Sequence, residues 1–307
     1  MSCLTHLCLR LRSGKMEKNS KISQIAGKIQ PYVFLLPAVI VLLAITIFPL
    51  IYSLNISFRS VTLLKLSHQP FVGLSNYIQI FRDPRFYNAL QKTATFCVAL
   101  PLQFSIGLAL ALLADYLPGK GSFKILFLLP MIVTPIAVAL VWRFMFNPNR
   151  GIINYFLQAM GFSAIPWLSR SGTAMASVVL VEVWQWTPLF FLVLYTGLKN
   201  VPLEPLEAAM VDGASRYELF RFVKLPFLKP LILITVLIRL IDVLKNFDLF
   251  FGLTQGGPGM STEVLNLYIY KAGFKWFKLG YSASLSYILL IIIILISNIL
   301  IRRFRTE

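Results

Sequence analysis

Apolar residues fall along this chain in long blocks rather than alternating with polar ones. Six blocks stand out, over roughly 31–56, 88–114, 123–146, 173–198, 230–251 and 281–302. Several of them reach the ~20 residues that carry an α-helix across a hydrocarbon core of about 30 Å. The last is aliphatic from Ile288 to Ile301 except for Ser297 and Asn298. A transmembrane barrel needs short strands of alternating polarity, so this pattern excludes one. The blocks predict an all-α polytopic membrane protein with six transmembrane helices. Residues 1–30 form a basic lead-in and 31–307 a single membrane domain. Met1–Lys15 differs in character from the residues after it, and Met16 opens an ordinary basic segment, Met-Glu-Lys-Asn-Ser-Lys, expected to be the true start of translation. The first block has no small-residue cleavage site and reads as a span rather than a removable signal.

Composition narrows the class. The chain is 57% hydrophobic and only 13% charged, with a mean hydropathy of +0.75. A soluble domain carries about twice that charge. The net charge of +17 does not point to nucleic acid, because the basic residues sit mostly at the ends of the apolar blocks. With the amino terminus inside, sixteen basic residues lie on inner segments against eleven on outer ones. That bias places the 199–229 loop and both termini in the cytoplasm. Cys3, Cys8 and Cys97 imply no disulfide framework, and His6 and His68 are isolated. No metal-ligand cluster and no nucleophile with its base can be found, so neither a metal site nor a catalytic residue is expected. Aromatic residues edge the outer segments: Phe71, Tyr77, Phe81, Phe86 and Tyr87, then Tyr155, Phe156 and Trp167, then Tyr268, Tyr270, Phe274, Trp276 and Phe277. They read either as an interfacial belt or as a rim for an outer partner.

Between the fourth and fifth blocks lies a polar, helix-forming stretch, Leu203 to Pro226. Pro205 suits the first turn of a short helix, where its missing N–H costs nothing. Glu204 and Glu207 favour the same end through the helix dipole. Leu206, Ala209 and Met210 give that helix one apolar stripe. Gly213 stands where a left-handed terminator belongs. Ser215 and Glu218 then form a capping box for a second helix, which Pro226 and Pro230 are expected to end before the fifth span. A short helix with an apolar stripe and carboxylates fits either a partner's groove or a lipid surface. Its acidic residues argue against anionic lipid.

Glu207-Ala208-Ala209, then Gly213, then Leu225-Pro226 resemble the EAA loop of permease subunits of bacterial ABC importers, and Asp212-Gly-Ala-Ser215 resembles their carbohydrate-uptake branch, which adds Asp212 to the coupling residues. Phe71-Val-Gly-Leu-Ser-Asn-Tyr, Asp83-Pro-Arg-Phe and Leu253-Thr-Gln-Gly-Gly-Pro258, with Thr262 beyond, are similar to the carbohydrate-uptake branch, the maltose F-type and glycerol-phosphate A-type subunits in particular. The resemblance covers about 31–302. It implies a bacterial inner-membrane transport subunit for a sugar, a polyol or a sugar phosphate such as glycerol-3-phosphate. The partners it implies are a second permease, two copies of an ABC ATPase, an extracytoplasmic solute-binding protein and membrane lipid. No Walker motif occurs here, so ATP and Mg belong to the partner ATPase and this chain carries no cofactor. By the motif, Glu207 pairs charge with the ATPase, Ala208 and Ala209 pack closely against it, and Gly213 makes the turn.

Substrate contacts are sought among polar and aromatic residues at membrane depth. Trp184, Gln185 and Trp186 in the fourth block, with Arg239, Asp242, Asn246, Phe247 and Asp248 in the fifth, offer donors, acceptors and flat faces. Arg239 and Asp242, three residues apart, alternatively form an internal ion pair. The rival class is an ion-coupled secondary transporter using Asp242 or Asp248. It predicts a repeated half and broken spans, neither of which the sequence displays.

Overall fold

The computed structural model describes residues 34–64, 69–116 and 122–305. The Met16 start therefore lies outside the described residues. The chain divides into a unit ending at Ile56 and a unit from Ser57 onward. The first contributes one apolar helix, α1 (Phe34–Ser57), with mean hydropathy 2.8 and none of its most apolar stretch buried. A helix that apolar calls for lipid or protein around it rather than water.

The second unit is built on two long helices. One runs Pro84–Tyr116, as α2 (Pro84–Phe96) and α3 (Ala99–Tyr116), bent at Cys97–Val98. The other is α4 (Ser171–Lys199). They lie side by side in step. Gln103 donates to the Glu182 carbonyl at 3.1 Å, and Asp115 meets Lys199 at 2.8 Å. Gly107 permits the contact: a β-carbon there would stand 2.6 Å from the Phe190 β-carbon. Such an approach needs the absence of a side chain. Phe190, Leu194, Leu198, Ala111 and Leu228 fill the core at that level. The last helix, α5 (Leu279–Arg305), is unbroken.

Among the described residues, four helices are thus long and apolar enough to cross a membrane. The third and fifth expected spans differ from the prediction because each is interrupted. The third consists of α6 (Ser122–Ile132) and α7 (Pro135–Met145), since Pro135 forces Thr134 into an extended conformation and suits the start of a new helix. The fifth consists of α8 (Leu225–Leu244) and α9 (Asp248–Leu253), with Lys245–Phe247 between them. Broken spans, expected only of a secondary transporter, are therefore present and do not separate the two classes. Tight packing of α9 on α7 follows from Gly252, whose added β-carbon would lie 2.5 Å from that of Ala139.

At the end of the bundle where α2 begins, a buried polar network replaces apolar packing. Glu263, fully buried, accepts a bidentate pair from Arg85 at 2.6 and 2.8 Å and a further bond from Lys271. The Arg85 guanidinium also lies over Trp276, 4.4 Å from its ring centre. Asp83 caps α2 by accepting from the Arg85 N–H at 2.8 Å, and its other oxygen accepts from Tyr268 and Tyr281 at 2.5 and 2.9 Å. Burial pushes both carboxyls up, but these hydrogen bonds and the neighbouring cations outweigh it and hold both below their ordinary values. Phe86 and Tyr268, expected in an aromatic belt, are core residues instead, whereas Phe71, Phe81, Tyr155 and Phe274 remain exposed.

Candidate functional site

The two interruptions meet. Gln185, buried on α4, donates its amide to the Val133 carbonyl at 3.0 Å. That carbonyl is one freed by the gap between α6 and α7, so the glutamine satisfies a backbone group that lipid could not. One turn earlier Glu182, 1% exposed, accepts from Arg239 with one oxygen and from Asn246 at 3.2 Å with the other. The Arg239 guanidinium is itself 1% exposed and stacks 4.2 Å from the centre of the Trp186 ring. A buried charge needs such pairing in a low-dielectric interior. The Arg239–Asp242 pair foreseen from spacing is present but long, at 3.5 Å. Glu182 is the principal partner, and Asp242 is held by Lys245 at 3.1 Å.

Beside this cluster opens a cavity of about 260 Å³ whose wall comprises Pro135, Trp186, Arg239, Asp242, Lys245, Asn246, Phe247 and Asp248. Six of the eight residues sought as substrate contacts thus share one wall. Gln185 does not, because its amide braces the helix gap. Trp184 does not either; two residues before Trp186, it points to another face, 44% exposed and edge-on to Trp142 at 5.3 Å. Arg239 Nε and Asn246 Oδ1 are buried without a protein partner. Glu182 escaped the sequence reading. Its signal was a lone carboxylate inside an apolar block, which is costly unless paired.

The loop between α4 and α8 has the helix, glycine turn and capped helix that its residues predict. Helix α10 (Leu203–Val211) has no buried residue. Gly213 takes φ +82°. Its N–H bonds to Met210 O at 3.1 Å and the Ala214 N–H to Ala209 O at 2.9 Å, which is the Schellman pairing. Ser215 and Glu218 form the capping box in both directions. Glu207, Ala208 and Asp212 are exposed, and Ala209 half-buried. Met210 and Val211 are 54% and 87% exposed, whereas Leu206 and Ala209, the other two positions of the expected stripe, are half-buried.

Pro226 and Pro230 do not end the second helix, contrary to expectation. It runs without interruption from Arg216 to Leu244. A π turn over Leu219–Lys224 lets the Leu225 N–H reach back to Phe220. The wider turn just before Pro226 accommodates a residue that would otherwise clash with the carbonyl four back and lacks the N–H to bond it. Leu225 packs against the core beneath, while Pro226 is exposed.

The model of the binding-protein-dependent transport system inner membrane component family matches residues 72–306. This chain belongs to that family. Among its relatives, the probable ABC transporter permease protein y4oQ of Sinorhizobium fredii is 38% identical over 88% of each chain. The trehalose/maltose transport system permease protein MalF of Thermococcus litoralis is 35% identical, over 81% of this chain and 83% of that one. In three dimensions the permease is similar to a chain of a bacterial ABC transporter involved in import of the acidic polysaccharide alginate, with TM-score 0.81. That match covers 93% of this chain and 99% of the other at 21% identity, and so speaks for the fold. The permease is accordingly an ABC importer subunit of the carbohydrate-uptake branch and a membrane transport component.

Proposed function

We propose that this permease is one of two membrane subunits through which an ATP-driven importer moves a sugar or sugar derivative across the bacterial cell membrane. In this reading six segments cross the bilayer, four of them long helices, one of these bent at Cys97–Val98, and two the interrupted pairs at 122–145 and 225–253. The loop of α10 faces the cytoplasm with both termini, and an extracytoplasmic binding protein delivers the cargo to the other side. One observation carries the reading. Helix α10 ends in a Schellman turn and is followed at once by a capped helix, yet it presents Met210 and Val211 to solvent, uncovered by any of the described residues. A preorganised helix with an unpartnered apolar stripe is what a groove on a partner ATPase requires. Two copies of that ATPase would hold ATP and Mg, one under each permease.

The cavity supports the cargo class. An indole face, an unpartnered amide oxygen and carboxylates suit a ligand rich in hydroxyls. Trp186, Asn246, Phe247 and Asp248 are the contacts proposed, with Arg239 and Asp242 shaping the wall. Relatives named for trehalose and maltose, and for sulfoquinovosyl glycerol in Agrobacterium fabrum, support a sugar without choosing one. A structural neighbour was solved with an alginate pentasaccharide-bound periplasmic protein, which supports the delivery partner. Asp242 in the cavity wall leaves one other reading, ion-coupled transport.

The test is a mild-detergent pull-down of the tagged chain from native membranes. A second permease and a Walker-motif ATPase retained with it support the importer. A chain that purifies without any ATPase, and whose uptake persists in ATP-depleted vesicles carrying a proton gradient, overturns it.

A further inference from the structure

The docking loop leaves the bundle at Lys199 and returns at Lys224, and both lysines meet on a single carboxylate. Asp115, the last residue but one of α3, accepts from Lys199 with one oxygen and from Lys224 with the other, each at 2.8 Å. Its neighbour Tyr116 has the Arg216 guanidinium 4.7 Å from its ring centre. Two consecutive residues of α3 therefore hold both stems of the loop and the start of its second helix. The other anchors of the loop are apolar: Val201 is buried, and Phe220 and Leu225 pack against the core. Helix α10 buries nothing, and an open cavity of about 560 Å³ lies between Leu112, Tyr116, Tyr217 and Phe220.

We propose that Asp115 is the positioning residue that makes the two stems of the docking loop move as one with α3, so that displacement of α10 reaches both long helices together. Lys199 ends α4, so a push on the loop reaches α4 through the backbone. It reaches α3 through Asp115 and through the apolar contacts of Phe220 and Leu225 with the core that includes Leu112 and Leu108. Apolar contacts are non-directional and let surfaces slide. A carboxylate shared by two ammonium groups fixes two distances at once. Partly exposed ion pairs add little to stability, so the contribution of Asp115 lies in geometry. The inference rests on the importer reading, because it needs a partner that pushes.

The experiment uses the complete importer in proteoliposomes, with Asp115→Asn and Asp115→Glu. We expect Asp115→Asn to insert normally and retain its ATPase on purification, while ATP hydrolysed per substrate moved rises about tenfold. Asp115→Glu should restore the ratio. On the chain alone, spin labels at Leu113→Cys and Met210→Cys should give one narrow distance that broadens in Asp115→Asn. An unchanged ratio with a narrow distance overturns the proposal, and so does loss of the ATPase from Asp115→Asn, which would make the residue a docking contact. If the unaltered chain captures no ATPase, the importer reading fails, and the spin-label distances still decide whether Asp115 holds the loop.

Discussion

The two ends of the bundle are built on opposite plans. Around Asp83 and Glu263, carboxylates, cations and tyrosines are mutually paired, with Glu263 and both tyrosines buried and aromatic rings beside the cations. Around α10, a helix of nine residues buries no side chain fully and leaves Leu203, Met210 and Val211 exposed. The first end derives its order from within the chain. The second has local order, from caps and a glycine turn, but lacks a partner surface. The difference teaches where substitutions should cost folding and where they should cost assembly.

The strongest way to break the comparison is Glu263→Ala, which leaves Arg85 and Lys271 without their carboxylate. Removing one partner of a buried pair costs about 3–5 kcal/mol, and the lower figure applies because both cations keep some access to water. Thermal unfolding in detergent should show that loss; no change would mean the network does not hold this end. Acid sharpens the same contrast. Asp83 and Glu263 titrate below their ordinary 3.8 and 4.5, so the stability they contribute is complete above about pH 4.5 and lost as pH falls through their lowered values. Melting temperature should drop below pH 4.5, and Glu263→Gln should remove part of that dependence. At the other end, Gly213→Asp puts a β-carbon at positive φ and a negative charge at a helix carboxyl end. We expect a cost of about 1 kcal/mol, normal insertion and no uptake. Normal uptake would take Gly213 out of the coupling turn. Smallest in stability, below about 0.5 kcal/mol, should be Met210→Ser with Val211→Ser. The pair should nevertheless abolish retention of the ATPase in a pull-down, and full retention would deny the stripe its role.

Local features were legible in the sequence because their causes are local. Apolar block length fixed four helices, and Gly213 with Ser215 and Glu218 specified the loop. Pro226 misled because a proline's effect depends on the turn before it, and a π turn leaves no mark in residue type. The Glu182–Arg239 pair joins positions 57 apart, a distance at which only packing register decides who meets whom. For the same reason Trp184 and Trp186, alike in composition and two residues apart, ended on different faces. Gln185 looked like a ligand contact because a buried amide can serve either a substrate or a broken backbone, and only the position of Val133 tells which.

The charge of Arg239 is answered by Glu182 and covered by Trp186, and the neighbouring Lys245 is answered by Asp242. If cargo passes this wall as proposed, its engaged cations would exert little pull on anionic cargo and little push on neutral cargo. On that reading discrimination would fall to whatever delivers the molecule. A lineage could change its diet by exchanging the delivery protein and leave this wall as it is.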